Sequence, residues 1–133
     1  MNYTSINQLT YEIIACAMTV HSELGPGLLE SVYEQCLEYE LRQCGMKVER
    51  QKIVPVMYKG RRMPEGFRLD LLVNDTVIIE LKAVETVPPI DQARVISYLK
   101  LMNKPAGLIL NFRVERLRDG IIRLGRDVGG MDF

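Results

Sequence analysis

The chain is 133 residues long, 47% hydrophobic and 26% charged, with 17 basic and 17 acidic residues and a formal net charge of zero. That length suits one domain, residues 1–133, with a core of its own; no apolar run approaches a membrane span, and Met1-Asn2-Tyr3-Thr4-Ser5 lacks the basic start and apolar stretch of a secretory leader. Three cysteines without C-x-x-C spacing (Cys16, Cys36, Cys44), with His21 the only histidine, argue against a zinc site and for a cytoplasmic protein with reduced thiols.

Two helices come first. Leu9, Ile13, Cys16, Ala17, Val20 and Leu24 recur with the 3.6-residue period and stop at Gly25-Pro26-Gly27. Leu29, Val32, Tyr33, Cys36, Leu37 and Leu41 form the apolar face of a second helix that ends near Gly45. A strand follows from Val48 to Tyr58, with Pro55 marking an edge, then a tight turn at Lys59-Gly60. The next strand runs from about Arg61 to Val73, interrupted near Pro64-Glu65-Gly66, and a third from Val77 to Val84. Pro88-Pro89 opens a helix to about Asn103 that turns Val95, Ile96, Leu99 and Met102 inward. Ala106 to Phe112 reads as a buried parallel strand. Ile121 to Leu124 reads as a last short strand, and Gly129 to Phe133 as a frayed end. Three strands in a meander, a helix and a further strand make a three-layer α/β arrangement: two N-terminal helices, then a mixed sheet in βββαβ order.

The charges are not spread evenly. Residues 1–44 hold one basic residue, Arg42, against six acidic ones, leaving 16 basic against 11 acidic residues in the remainder. Either this is ordinary solvated charge, or the sheet side presents a basic surface to phosphates.

The chemistry concentrates between Phe67 and Val84. Period-two alternation puts Phe67, Leu69, Leu71 and Val73 on one face, with Val77, Ile79, Leu81 and Ala83. Asp70, Glu80 and Lys82 fall on the other. A two-residue turn at Asn74-Asp75 would set Leu69 opposite Glu80 and mix apolar with charged residues. A three-residue turn, Asn74-Asp75-Thr76, sets Val73 opposite Val77 and Asp70 opposite Glu80, about 5 Å apart at Cβ. Two carboxylates and a lysine on half-buried sheet are costly unless they bind something. Mg²⁺, with Mn²⁺ as its substitute, would use both carboxylates and keep several waters. Lys82 would orient the attacking water or stabilise charge on a phosphate, or else ion-pair with Asp70 or Glu80. Glu30, in the first turn of the second helix, is favoured there by the helix dipole alone. Tyr33 either bonds Glu30 or packs in the core, and Glu34 reads as a solvated face residue. Gln92 lies on the inward stripe of the third helix, where an amide needs partners. His21 reads as structural or solvated, and Gly25-Pro26-Gly27 is too short to cradle a phosphate.

Asp70 followed by Glu80-Leu81-Lys82 resembles the D…E-x-K signature of the PD-(D/E)xK nucleases. Gly27-Leu28-Leu29-Glu30-Ser31-Val32-Tyr33 resembles the motif of the GxxExxY family, a bacterial and archaeal branch of that fold, and the likeness covers about Leu9 to Leu124. The proline that gives the signature its first letter is missing before Asp70. The resemblance implies the PD-(D/E)xK nuclease-like fold. It also implies a metal site in which Glu30 reaches the ion directly or through water, the Leu81 backbone carbonyl is a ligand, and Gln92 stands beside Lys82.

The expected activity is Mg²⁺-dependent hydrolysis of phosphodiester bonds in DNA, with RNA as the other nucleic-acid substrate. A homodimer would give two sites for two strands. Two other classes stay open: a non-enzymatic nucleic-acid-binding or scaffold subunit, favoured by the neutral charge and small size, and a metal-dependent hydrolase of another anionic substrate.

Overall fold

The computed structural model describes residues 5–125; Met1 to Thr4 and Gly129 to Phe133 lie outside the described residues. Helix α1, Ile6–Leu24, starts where the Ser5 hydroxyl accepts the Gln8 amide at 3.1 Å. It ends at Gly25, whose φ of 70° suits a residue without a Cβ. Helix α2 spans Glu30–Gln43. Strands β1 (Val48–Tyr58), β2 (Arg61–Val73) and β3 (Val77–Lys82) form the meander. Helix α3, Pro89–Met102, opens with proline in its first turn. Strand β4 (Ala106–Asn111), a 3₁₀ turn (Leu117–Gly120) and strand β5 (Ile121–Gly125) complete the order.

The five strands pair in the order β1-β2-β3-β4-β5, and only β3 and β4 run parallel. Both faces are covered, which makes three layers. Helices α1 and α2 pack on one face through Leu9, Ile13, Val20, Leu37 and Leu41, over Leu71, Ile79 and Leu108. Helix α3 packs on the other through Val95 and Leu99, over Leu72, Ile78 and Ile109. All six residues of β4 are buried, as expected of a central strand between two helical layers. Gly107 lets α3 approach: a Cβ there would sit 2.8 Å from Val95 Cγ1. No helix among the described residues is long and apolar enough to cross a membrane.

The structure corrects several boundaries. Leu24 and Leu29 lie at helix ends and are exposed. Strand β2 is continuous through Pro64-Glu65-Gly66; the irregularity there is a shift of register against β1 between Pro55 and Met57. Strand β3 stops at Lys82, because past it the chain leaves the sheet toward α3.

The largest correction concerns facing. Phe67 and Leu69 pack on the α3 side, whereas Leu71 and Val73 pack under α1 and α2. A regular strand keeps such alternate residues on one face, so the chain slips at Asp70. Its neighbour slips at the same rung. The β1–β2 ladder pairs Arg50 with Leu71 and Lys52 with Leu69, but Gln51 and Asp70 drop out of it, and Gln51 has a φ of 53°. Val48 therefore packs under α1 and α2, and Val54 on the α3 side.

Candidate active site

The three-residue turn forms as the apolar pattern requires. Asn74 and Asp75 take positive φ values of 50° and 53°, and the Thr76 amide donates to Val73 O at 2.9 Å. Val73 then pairs with Val77, Leu72 with Ile78 and Leu71 with Ile79. The ladder stops there, one rung before Asp70 and Glu80. In place of a backbone bond, the Leu81 amide donates to Asp70 Oδ2 at 2.9 Å. The two strands fork around a carboxylate.

Glu80 meets Asp70 in that fork. Its Oε1 is buried and has no hydrogen-bond partner among the described residues. Burial, and then the adjacent Asp70 carboxylate, push the Glu80 carboxyl up to about 9. An orphaned buried oxygen beside a second carboxylate is what a bound cation would repair. The donor set is oxygen-only, which suits Mg²⁺ or Mn²⁺ rather than zinc. Among the described residues no group of three His, Cys, Asp or Glu side chains is arranged to hold a metal. For a bound cation the protein would contribute the carboxylate pair, with backbone and water oxygens left to complete a shell.

Lys82 sits on the same side of the strand as Glu80. Its ammonium lies 3.4 Å from Asp91 Oδ2, and Arg94 Nη1 donates to Asp91 Oδ1 at 2.7 Å. The lysine is thus paired with a helix α3 carboxylate rather than with Asp70 or Glu80. Arg68, Glu80, Lys82, Asp91, Arg94 and Tyr98 line a pocket of about 290 Å³ between the sheet and α3. Tyr98 also stacks on Phe67, with ring centroids 4.1 Å apart.

Gln92 is half-buried on α3 but does not line this pocket; Asp91, one residue earlier, takes the place beside Lys82. Reading the motif missed Asp91, Arg94 and Arg68. The signal was present in the i, i+3 spacing of Asp91 and Arg94 and the i, i+4 stripe Asp91-Val95-Leu99.

Glu30 is the first residue of α2, and its Oε2 accepts the Ala83 amide at 3.1 Å, just past the end of β3. The G-x-x-E-x-x-Y segment explains how it gets there. Gly27 has a φ of 103°, open to glycine. Fully buried Tyr33 donates its hydroxyl to Gly25 O at 2.5 Å and accepts the Leu28 amide at 3.1 Å. Its ring stacks on Phe112 at 4.5 Å. Tyr33 therefore packs in the core and pins the turn that launches Glu30; it does not bond Glu30. Glu34 is only 5% exposed. It is not a solvated face residue, since it accepts from Arg50 Nε at 2.6 Å and from Gln51 Nε2 at 2.8 and 2.9 Å. His21 is structural: buried, with Nε2 2.7 Å from Val114 O.

A three-layer α/β fold whose central hairpin forks around an Asp–Glu pair, with a lysine two residues on, defines a nuclease-like carboxylate site. Residues 7–124 match the family model of the PD-(D/E)XK nuclease superfamily, and the chain belongs to that superfamily, whose members generally use divalent metals. No curated protein and no solved structure gives a significant match.

Proposed function

We propose that this protein is a Mg²⁺-dependent nuclease that hydrolyses phosphodiester bonds in DNA, and that it belongs to the GxxExxY branch of its superfamily. The observation that carries the reading is the fork at Asp70 and Glu80, with an unpartnered buried oxygen on Glu80. Asp70, Glu80 and the Leu81 carbonyl would hold the ion, with Glu30 as the outer carboxylate. A bound Mg²⁺ or Mn²⁺ supplies a polarised phosphoryl oxygen and a water of lowered pKa.

The chain's own residues do the rest. Lys82 holds a positive charge at the pocket wall, where it orients the attacking water and stabilises charge developing on the phosphate. Asp91 fixes the Lys82 ammonium and the Arg94 guanidinium in one place. Arg68 and Arg94 add cationic groups for the substrate phosphates. Gln92, beside Asp91 in the chain, would support Lys82 from helix α3. We place the protein in the cytoplasm, as one domain over residues 1–133, acting as a homodimer on duplex substrate.

The test is a calorimetric titration of Mn²⁺ into wild type, Asp70→Ala and Glu80→Ala, followed by cleavage assays on DNA and RNA. Saturable binding lost in both variants, with Mg²⁺-dependent cleavage of DNA, is the expected outcome. Absence of binding with and without DNA would sink the enzymatic reading. It would favour a non-catalytic subunit, the alternative that the neutral net charge and small size support.

A further inference from the structure

Strands β1 and β2 are 11 and 13 residues long, whereas β3 has six. Because β2 pairs with β3 only over Leu71 to Val73, the outer halves of β1 and β2 pair with nothing but each other. They leave the sheet as a two-stranded ribbon from Ile53 to Phe67, closed by Lys59-Gly60, both at positive φ. The seven β2 residues Arg61 to Phe67 reach about 20 Å from its root to its tip. Val54 and Phe67 anchor the root against the α3 cluster; beyond them the ribbon has no core of its own.

The ribbon's composition is unlike that of the neutral whole. Between Lys52 and Arg68 stand five basic residues (Lys52, Lys59, Arg61, Arg62, Arg68) and one acid, Glu65. Lys59, Arg61 and Arg62 are exposed at the tip, and no salt bridge among the described residues occupies them. Ile53, Met57 and Tyr58 are exposed as well, 54% or more, and the Lys59 ammonium lies 5.5 Å from the Tyr58 ring centroid. An isolated hairpin that carries apolar and cationic side chains into solvent gains nothing for folding by doing so. At its root, the same strand runs through Arg68, which lines the pocket, into Asp70 at the fork.

We infer that this ribbon is a DNA-binding arm that grips duplex DNA beside the cleavage site, with Lys59, Arg61 and Arg62 on the phosphates. The inference rests on the nucleic-acid part of the reading above but not on metal or cleavage. A two-stranded ribbon fits the roughly 12 Å major groove of B-form DNA, whereas the deep, narrow major groove of A-form RNA does not admit one. Arg68 at the root and the basic tip lie on one strand, so a duplex held along the arm is led toward the Asp70–Glu80 fork.

The test is fluorescence anisotropy of a duplex DNA, a duplex RNA and a single-stranded DNA with Glu80→Gln protein in EDTA, across a salt series. Against it stands the same protein carrying Lys59→Ala, Arg61→Ala and Arg62→Ala. These exposed changes spare the core, and an unchanged melting temperature verifies that. The arm predicts preference for duplex DNA, a loss of about tenfold or more at low salt in the triple variant, and a salt slope shallower by about 2 to 3. Unchanged affinity and slope in the variant would overturn the arm while leaving the nuclease reading intact. Preference for RNA or for single strands, or no binding at all, would also overturn it. Weakened DNA binding by the variant alongside a wild type that cleaves nothing would keep the arm and remove the nuclease.

Discussion

Glu80 is the residue at which structure and chemistry meet most directly. Its carboxyl is pushed from an ordinary value of 4.5 up to about 9, first by burial and then by Asp70. Between those values the folded protein holds a proton that the unfolded chain has released. Raised in the fold, this group contributes stability that is complete below about pH 4.5 and is lost as pH rises toward about 9. The metal-free protein should therefore melt at progressively lower temperature across that window, and Glu80→Gln should flatten the trend. A divalent ion needs the carboxylate, so binding at neutral pH should expel close to one proton. Mn²⁺ titrations in two buffers of different ionisation enthalpy measure that number directly. A proton count near zero would mean that Glu80 is already ionised, and the account of its environment would be wrong.

At the scale of elements, the segment Gly27 to Tyr33 is a positioning device. The Tyr33 hydroxyl makes two part-buried backbone bonds, to Gly25 O and from the Leu28 amide. Tyr33→Phe keeps the ring and its stack on Phe112 but strands both backbone groups, at a cost of about 1 to 3 kcal/mol. Loosening that turn frees the start of α2, so the Ala83 amide, which donates to Glu30, should exchange faster with solvent than the Leu81 amide. Equal protection of both in the variant would show that Tyr33 serves stability alone.

The same elements show what the sequence discloses. Alternation over Val77 to Lys82 and the apolar match of Val73 to Val77 were sufficient to select the three-residue turn and bring Asp70 toward Glu80, because a one-residue slip would have set Leu69 opposite Glu80 and mixed apolar with charged residues. The slip at Gln51 and Asp70 was not legible. At that rung Glu34 of α2 accepts from Arg50 and Gln51 across the layer, and no local pattern records a partner 16 or 17 residues away. Likewise the pairing of Lys82 with Asp91 needs the angle at which α3 crosses the sheet. Gly107 lets Val95 of α3 lie close against the sheet, an approach that helical periodicity does not record, so periodicity placed Gln92 inward and left Asp91 unremarked.

For the whole molecule, the two helical layers are unequal. Among the described residues, 21 buried side chains form the cluster under α1 and α2, and seven form the cluster under α3. Helix α3 supplies two fully buried residues to the smaller one, Val95 and Leu99, with Ile96, Tyr98 and Met102 partly buried against it, and it carries Asp91, Arg94 and Tyr98 of the pocket. Opening free energy follows buried apolar contact, so α3 should be the first helix to leave the fold, taking the pocket's basic wall with it. Native-state hydrogen exchange should then find α3 amides opening at lower free energy than those of α1 and β4. Leu99→Ala should cost about 2 to 5 kcal/mol and widen that gap, with α1 following only as far as global stability falls. On the nuclease reading, Leu99→Ala lowers cleavage through the loss of the Lys82–Asp91–Arg94 wall, while Mn²⁺ affinity at the Asp70–Glu80 fork, built on strands alone, stays within about threefold. Exchange of α3 and β4 amides at one common free energy would make the molecule a single cooperative unit, and the independence of wall and fork would fail with it.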